Sequence, residues 1–148
     1  MKFEKYSFIP QLKENLESLG FKKTTDIQYK CIPPVLRGED VLAIAQTGTG
    51  KTAAFAIPII QLLATRRGTS EAYSVRSLVM VPTHELAIQV AGVFNELVKG
   101  VGLQVMGLFG GVEQAPQIER LKRGVDVLVA TPGRMFDLAS SISAFLAA

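Results

Sequence analysis

Ala45-Gln46-Thr47-Gly48-Thr49-Gly50-Lys51-Thr52 have the types and spacing of a loop that could cradle phosphates. Glycines at 48 and 50 let backbone N–H groups turn toward a common point, and a helix starting at Lys51 would add its positive dipole end there. Lys51 is then placed to reach the β- and γ-phosphates of a nucleoside triphosphate, and the Thr52 hydroxyl to sit on Mg²⁺. The usual pattern, G-x-x-x-x-G-K-[ST], begins with glycine, where this chain has Ala45. A chance glycine-rich turn is the competing reading, and the flanking segments argue against it. The spacing therefore predicts Thr47, Gly48, Thr49, Gly50, Lys51 and Thr52 as nucleotide contacts, with Lys51 and Thr52 the residues nearest any chemistry and Thr52 the metal contact.

Such a loop needs a strand leading in and a helix leading out. Val41-Leu42-Ala43-Ile44 is an apolar run that predicts a buried strand, and residues 51–65 read as the helix. Upstream, Leu12, Leu16 and Leu19 recur at helical spacing before Gly20, a stop signal. Thr24-Thr25-Asp26 offers N-cap chemistry for a second helix through Gln28 and Cys31, which Pro33-Pro34 is expected to disrupt. Downstream, strands and helices alternate. Strands are predicted over 77–81, 104–109 and 126–130, and helices over 84–98, 114–123 and from Pro132 onward. Leu86, Val90, Phe94 and Leu97 would form the buried stripe of the first of these helices. This alternation predicts an α/β fold, a parallel sheet covered on both faces. Ligands then gather beyond the carboxyl ends of the strands, where the loops after Ala45, Val81, Phe109 and Ala130 would converge. Residues 66–71 read as the most exposed loop.

A chain of 148 residues that is 48% hydrophobic suits one domain with a sizeable core. No run reaches the roughly 18 consecutive apolar residues of a membrane span, and the first residues do not read as a secretory signal. No membrane partner is expected. Cys31 is the only cysteine, which excludes an internal disulfide, fits a cytoplasmic location and reads as a buried structural thiol. A net charge of +3 with a pI near 9.1 permits an anionic partner without requiring one. Lys22-Lys23, Arg66-Arg67 and Arg120-Lys122-Arg123 read as solvated faces.

With these residues in place, the chain resembles the first RecA-like domain of a DEAD-box ATP-dependent RNA helicase, from Phe3 to about Leu138. Gly20-Phe21-Lys22-Lys23-Thr24-Thr25-Asp26-Ile27-Gln28 is similar to the family's Q motif, with Thr24 and Asp26 standing where two prolines are usual. The resemblance implies that Gln28 reads the adenine edge and that Phe3 lies against the base. Alone, Gln28 would read as an exposed helical glutamine. Pro82-Thr83-His84-Glu85-Leu86-Ala87 resembles motif Ia, with His84 replacing the family's arginine, and Thr131-Pro132-Gly133-Arg134 resembles motif Ib. Gly110-Gly111 matches the family's double glycine. In that family these loops hold the RNA sugar–phosphate backbone, which gives RNA roles to Thr83, Gly110, Gly111, Thr131 and Arg134. By their residue types alone, the glycine pair could simply end a strand and Thr131-Pro132-Gly133 could simply start a helix.

The family's Asp-Glu-Ala-Asp sequence is absent, as are its Ser-Ala-Thr motif and second RecA-like domain. Of the acids that could substitute, Asp126 begins a strand, at the end away from the nucleotide edge, and Glu85 reads as a first-turn helix acid. The expectation is one N-terminal RecA-like domain over 1–148, incomplete at its C-terminal end, with 1–40 as its helical Q-motif region. Its cofactors would be ATP or ADP with Mg²⁺, and its partners RNA and the second RecA-like domain of a full-length protein. That protein would couple ATP hydrolysis to local duplex unwinding, while this chain alone would bind adenine nucleotide without efficient hydrolysis. The alternatives are a nucleotide- or RNA-binding module without catalysis, or another P-loop NTPase class.

Overall fold

The computed structural model describes residues 1–46, 48, 50–66, 74–110 and 113–147, the last eight of these as backbone. The chain divides into two compact units, Met1–Arg67 with Val93–Leu103, and Gly68–Gly92 with Gln104–Ala148. Among the described residues no helix is long and apolar enough to cross a membrane.

The first unit is helical. A short 3-10 turn, Phe3–Lys5, precedes α1 (Pro10–Ser18), α2 (Asp26–Leu36) and α3 (Lys51–Thr65). Leu12 and Leu16 of α1 are fully buried at the expected spacing, but Leu19 lies past the helix end and is exposed. Gly20 follows with φ +82°, a backbone state that glycine takes without Cβ strain. Asn15 is buried, and its Nδ2 donates to the carbonyls of Leu97 and Lys99, both at 2.8 Å. These carbonyls lie at the C-terminus of a further helix, α4 (His84–Leu97), whose last turn belongs to this unit. Helix ends leave such carbonyls unpaired, and Asn15 satisfies two of them.

Helix α2 starts at a capping box. The Thr25 hydroxyl accepts from Gln28 N–H, and Gln28 Oε1 accepts from Thr25 N–H. The helix does not stop at Pro33-Pro34 but continues to Leu36 with both prolines inside. Adjacent prolines remove two neighbouring N–H donors, while their fixed φ is compatible with a helix. Burial of Cys31 and Ile32 secures the turn just before them, and Arg37 N–H bonding back to Pro33 O closes the turn just after.

The strand expected at 41–44 is not formed. Leu42 is 93% and Ile44 90% exposed, and residues 41–45 make no backbone hydrogen bonds among the described residues. A strand is stable only when paired, and the sheet that does form pairs three other segments.

The second unit holds that sheet, with strands β1 (Val75–Met80), β2 (Val105–Leu108) and β3 (Val125–Ala130) in the order β1-β3-β2, both pairings parallel. Its helices are the first part of α4, α5 (Gln114–Lys122) and α6 (Pro132–Ala147). Met106, Leu108, Leu128 and Ala130 face Leu121 of α5 and Leu138 of α6 in one core cluster. Alternation along a strand sends Gly107, Val127 and Val129 to the other face, where Ala91 of α4 lies beside Gly107. Helices thus cover both faces, as the sequence predicts.

Two details differ. β1 is an edge strand whose Val75, Leu78 and Met80 are partly exposed rather than a fully buried one. The buried stripe of α4 begins at Ala87, not Leu86, which is 39% exposed; Ala87, Val90, Phe94 and Leu97 keep the helical period, and Leu86 lies at the stripe's margin, about 60° from its centre. The loop expected at 66–71 lies almost wholly outside the described residues.

Asp126 has a structural use at the amino edge of the sheet. Its Oδ1 pairs with Arg76 Nη1 of β1 at 3.2 Å, and its Oδ2 accepts from Gln104 N–H, just before β2, at 2.7 Å. Both side chains of the ion pair are about four-fifths buried, so removing the carboxylate takes this ion pair from Arg76 and this acceptor from Gln104 N–H. Asp126→Ala should destabilise the chain by about 2 kcal/mol, read as a lower urea midpoint; an unchanged midpoint would show that this three-strand clip adds nothing.

Candidate functional site

In the helical unit, the predicted phosphate loop ends at the start of α3. Gly50 is the N-cap at φ +81°, ψ +29°, and Gly48 turns with φ +82°. The N-cap glycine brings no side chain to cap α3, so among the described residues its first-turn amides have no side-chain cap from that position. Lys51 is exposed at the first helical position and Thr52 half-buried at the second. An uncapped N-terminus on a fifteen-residue helix, with a lysine beside it, suits a phosphate group. Thr47 and Thr49 lie outside the described residues.

Gly50 is constrained twice. Its left-handed backbone disfavours any L side chain, and a Cβ there would run into Gln28 Nε2. That amide nitrogen donates to Gly50 O at 3.3 Å, while Gln28 Oε1 holds Thr25 N–H at 2.9 Å. Gln28 is only 2% exposed, not a solvated helical glutamine. Beyond these two bonds its amide retains one N–H and one oxygen lone pair, the complementary set that an adenine edge requires. The link from Gln28 to the phosphate loop was not legible in the sequence, because nothing in a spacing of 22 residues specifies a side-chain–backbone bond.

Phe3 is buried in an aromatic cluster, edge-on to Phe21 at 5.7 Å and tilted against Tyr6 at 6.2 Å. Tyr6 in turn stacks on Phe8 at 5.0 Å, and burial raises its hydroxyl above the usual phenol range, with a further push from nearby Tyr29. The threonine that replaces a family proline fixes this region: Thr24 N–H donates to Met1 O at 2.9 Å, a bond that proline cannot make. Phe3 N–H bonds to Lys22 O in the same pairing. Among the described residues no group of three or more His, Cys, Asp or Glu is placed to hold a metal ion.

In the sheet unit, the three strand exits are stitched together. Val81 N–H donates to Ala130 O, and Thr131 N–H to Leu108 O, each at 3.0 Å. The loops after β1, β2 and β3 therefore leave from one edge, as parallel pairing demands; the loop after Ala45 follows no strand. At this edge Thr83 is exposed, its hydroxyl accepting from Leu86 N–H at 3.2 Å as α4 begins. Thr131 is half-buried and its carbonyl receives Met135 N–H in the first turn of α6, with Pro132 leading that helix and Arg134 half-buried behind it. Gly110 is exposed with open space around it and no left-handed φ, so local geometry does not require glycine there. Gly111 lies outside the described residues.

A contact absent from the sequence reading also sits here. The His84 ring stacks on Phe109, centroids 4.1 Å apart and planes 27° from parallel. The signal available was an aromatic before the glycine pair and a histidine in place of arginine. Glu85, beside His84, is an exposed first-turn acid.

The DEAD/DEAH box helicase profile matches residues 25–146. An ATP-dependent rRNA helicase RRP3 of Lodderomyces elongisporus is 42% identical over 135 residues, covering 91% of this chain and 26% of that protein. Among solved structures, a DEAD box protein from the hyperthermophile Methanococcus jannaschii superposes with TM-score 0.82 at 38% identity, covering 93% of this chain and 36% of that one. A hypothetical ATP-dependent RNA helicase from Sulfolobus tokodaii gives TM-score 0.77 at 38% identity over 88% of this chain and 36% of that one. The chain thus spans about a quarter to a third of the length of these relatives, and its parallel sheet with flanking helices corresponds to part of their RecA-like fold. Since the matching profile runs through most of its length, the chain belongs to the DEAD/DEAH box helicase family.

Proposed function

We propose that this chain is an adenine-nucleotide-binding and RNA-contacting domain, the N-terminal RecA-like part of an ATP-dependent RNA helicase. The observation that carries this reading is the uncapped start of α3, where Gly50, exposed Lys51 and Thr52 sit tied to Gln28. Residues 1–148 act as one domain, with 1–40 supplying Gln28 and Phe3. Lys51 holds the β- and γ-phosphates, helped by the loop residues from Thr47 to Gly50, and Gln28 reads adenine. The Thr52 hydroxyl binds Mg²⁺, which when present neutralises charge on the phosphates. Thr83, Gly110, Gly111, Thr131 and Arg134 take the sugar–phosphate backbone of RNA. Support for this comes from the open space at Gly110, where a bare backbone lets a ligand strand approach, and from the common edge of the strand exits. In the full-length protein, ATP binding and hydrolysis would drive local unwinding together with a second RecA-like domain, in the cytoplasm.

Isothermal titration with ADP and GDP tests the nucleotide assignment. ADP should bind more tightly than GDP, and Gln28→Ala should erase that preference at a cost of roughly tenfold in ADP affinity. Lys51→Ala should cost about 3 kcal/mol, roughly a hundredfold, for either nucleotide. Equal affinity for ADP and GDP in the unaltered chain would refute adenine recognition and leave only a generic phosphate loop.

Hydrolysis is a separate expectation. The chain has no Asp-Glu-Ala-Asp carboxylates to hold Mg²⁺ and orient water. Phosphate release from ATP by the purified chain should stay at background with or without single-stranded RNA. An RNA-stimulated rate that disappears in Lys51→Ala would overturn this.

A further inference from the structure

His84 and Phe109 are held at the proposed RNA edge by different elements, and the way Phe109 is seated explains their contact. Phe109 follows β2 directly, two residues after Gly107 on the same strand. Its ring folds back over Gly107, where an added Cβ would come within 3.0 Å of Phe109 Cε1 and 3.8 Å of Ala91 Cβ on α4. The missing side chain at 107 is thus the space that the ring uses. The Phe109 carbonyl accepts from Gln117 Nε2 of α5 at 3.4 Å, so the backbone is held from a second side. His84, the first residue of α4, then stacks on the ring.

His84 is exposed, and its ring nitrogens make no hydrogen bond among the described residues. One face of the imidazole is covered by Phe109, while the residue as a whole is exposed. A flat, ordered ring pair of this kind presents little rotamer entropy to lose and a π-face that any nucleobase can cover. Each ring is also the chain neighbour of a residue assigned above to the RNA backbone, His84 next to Thr83 and Phe109 next to Gly110. Bases attached to sugars held there hang within reach of this pair. Arginine at position 84, the residue of the family pattern, would bring a permanent cation suited to phosphate; histidine exchanges that for a ring.

We propose that His84 and Phe109 form a stacking platform for one unpaired nucleobase of bound RNA. This rests on the RNA reading above and adds a base contact to a surface that otherwise grips backbone. The partner is single-stranded RNA, with purines preferred over pyrimidines because their larger rings cover more of the platform.

The test uses fluorescence anisotropy of the whole 148-residue chain with two labelled ten-nucleotide strands, oligoadenylate and an abasic sugar–phosphate strand. The unaltered chain should bind oligoadenylate about tenfold more tightly than the abasic strand. His84→Ala should reduce that ratio to near one while leaving abasic affinity within about twofold, and His84→Phe, which keeps a ring, should retain the preference. His84→Ala removes the stack on Phe109 but no buried side chain, because His84 is exposed, and unchanged circular dichroism spectra would confirm the fold. A preference that survives His84→Ala overturns the platform and leaves the backbone reading standing, as does equal binding of both strands by the unaltered chain. Failure of the unaltered chain to bind either strand overturns both.

Discussion

The sheet unit depends on the double pairing of β3. Because it is bonded to β1 on one side and β2 on the other, Val127, Val129 and Ala130 are removed from water entirely and the three strands must run in one direction. Parallel strands discharge their loops at a common edge, and here the pairing extends one residue past the ladder through Val81 to Ala130 and Thr131 to Leu108. Thr83, Phe109 and Thr131, far apart in sequence, become neighbours of a single strand-end surface for that reason alone. The opposite edge is closed by Asp126, which satisfies Arg76 and Gln104 together. One edge of the sheet is thereby clipped by charge, and the other is left to exposed hydroxyls, glycine and a ring pair.

The helical unit solves a different problem, holding a glycine turn at the start of α3 without a side-chain cap. Capping α3 internally would satisfy its first amides and compete with any phosphate. Instead the cap chemistry is displaced to α2, where Thr25 and Gln28 satisfy each other, and Gln28 spends its remaining reach on Gly50 O. Gln28 therefore fixes the turn from behind its carbonyl. The proposed base-reading and phosphate-holding roles meet at this one side chain, so perturbing Gln28 should act on both.

Much of this was legible from residue types. The glycine turn followed by a helix, the Thr25 cap, the alternating strands and helices and the parallel sheet all depend on local chemistry or on periodicity, which sequence displays directly. What was missed depends on pairing and packing. Val41-Leu42-Ala43-Ile44 has the composition of a buried strand, yet burial requires a partner that composition cannot supply. Pro33-Pro34 marks a break by propensity, but tertiary burial of Cys31 and Ile32 carries α2 past it. Leu86 shares the helical spacing of Val90, Phe94 and Leu97, but it lies at the margin of that face and the smaller Ala87 occupies the buried position. The His84–Phe109 contact needed Gly107, a third residue whose role is to be absent.

These differences bear on how strongly the chain can hold a nucleotide. The proposed cradle is anchored from the helix side, through Gly50, Gln28 and the packed face of α3 formed by Ala53, Ala56, Ile57 and Ile60. On the strand side, residues 41–45 have no backbone partners among the described residues, and Leu42 and Ile44 face solvent. Fixing a backbone residue costs on the order of 1–2 kcal/mol in conformational entropy, so a ligand that must order even a few of them surrenders much of its contact energy. Lys51 and the α3 amides can make the same contacts as in a fully paired sheet and still yield a weaker net affinity. A strand paired along 41–44 would add no contact to the phosphates, but by ordering the segment beforehand it would raise affinity. For the proposed nucleotide site, the limit on affinity would therefore be set by preorganisation of the strand side of the loop rather than by the residues proposed to touch the ligand.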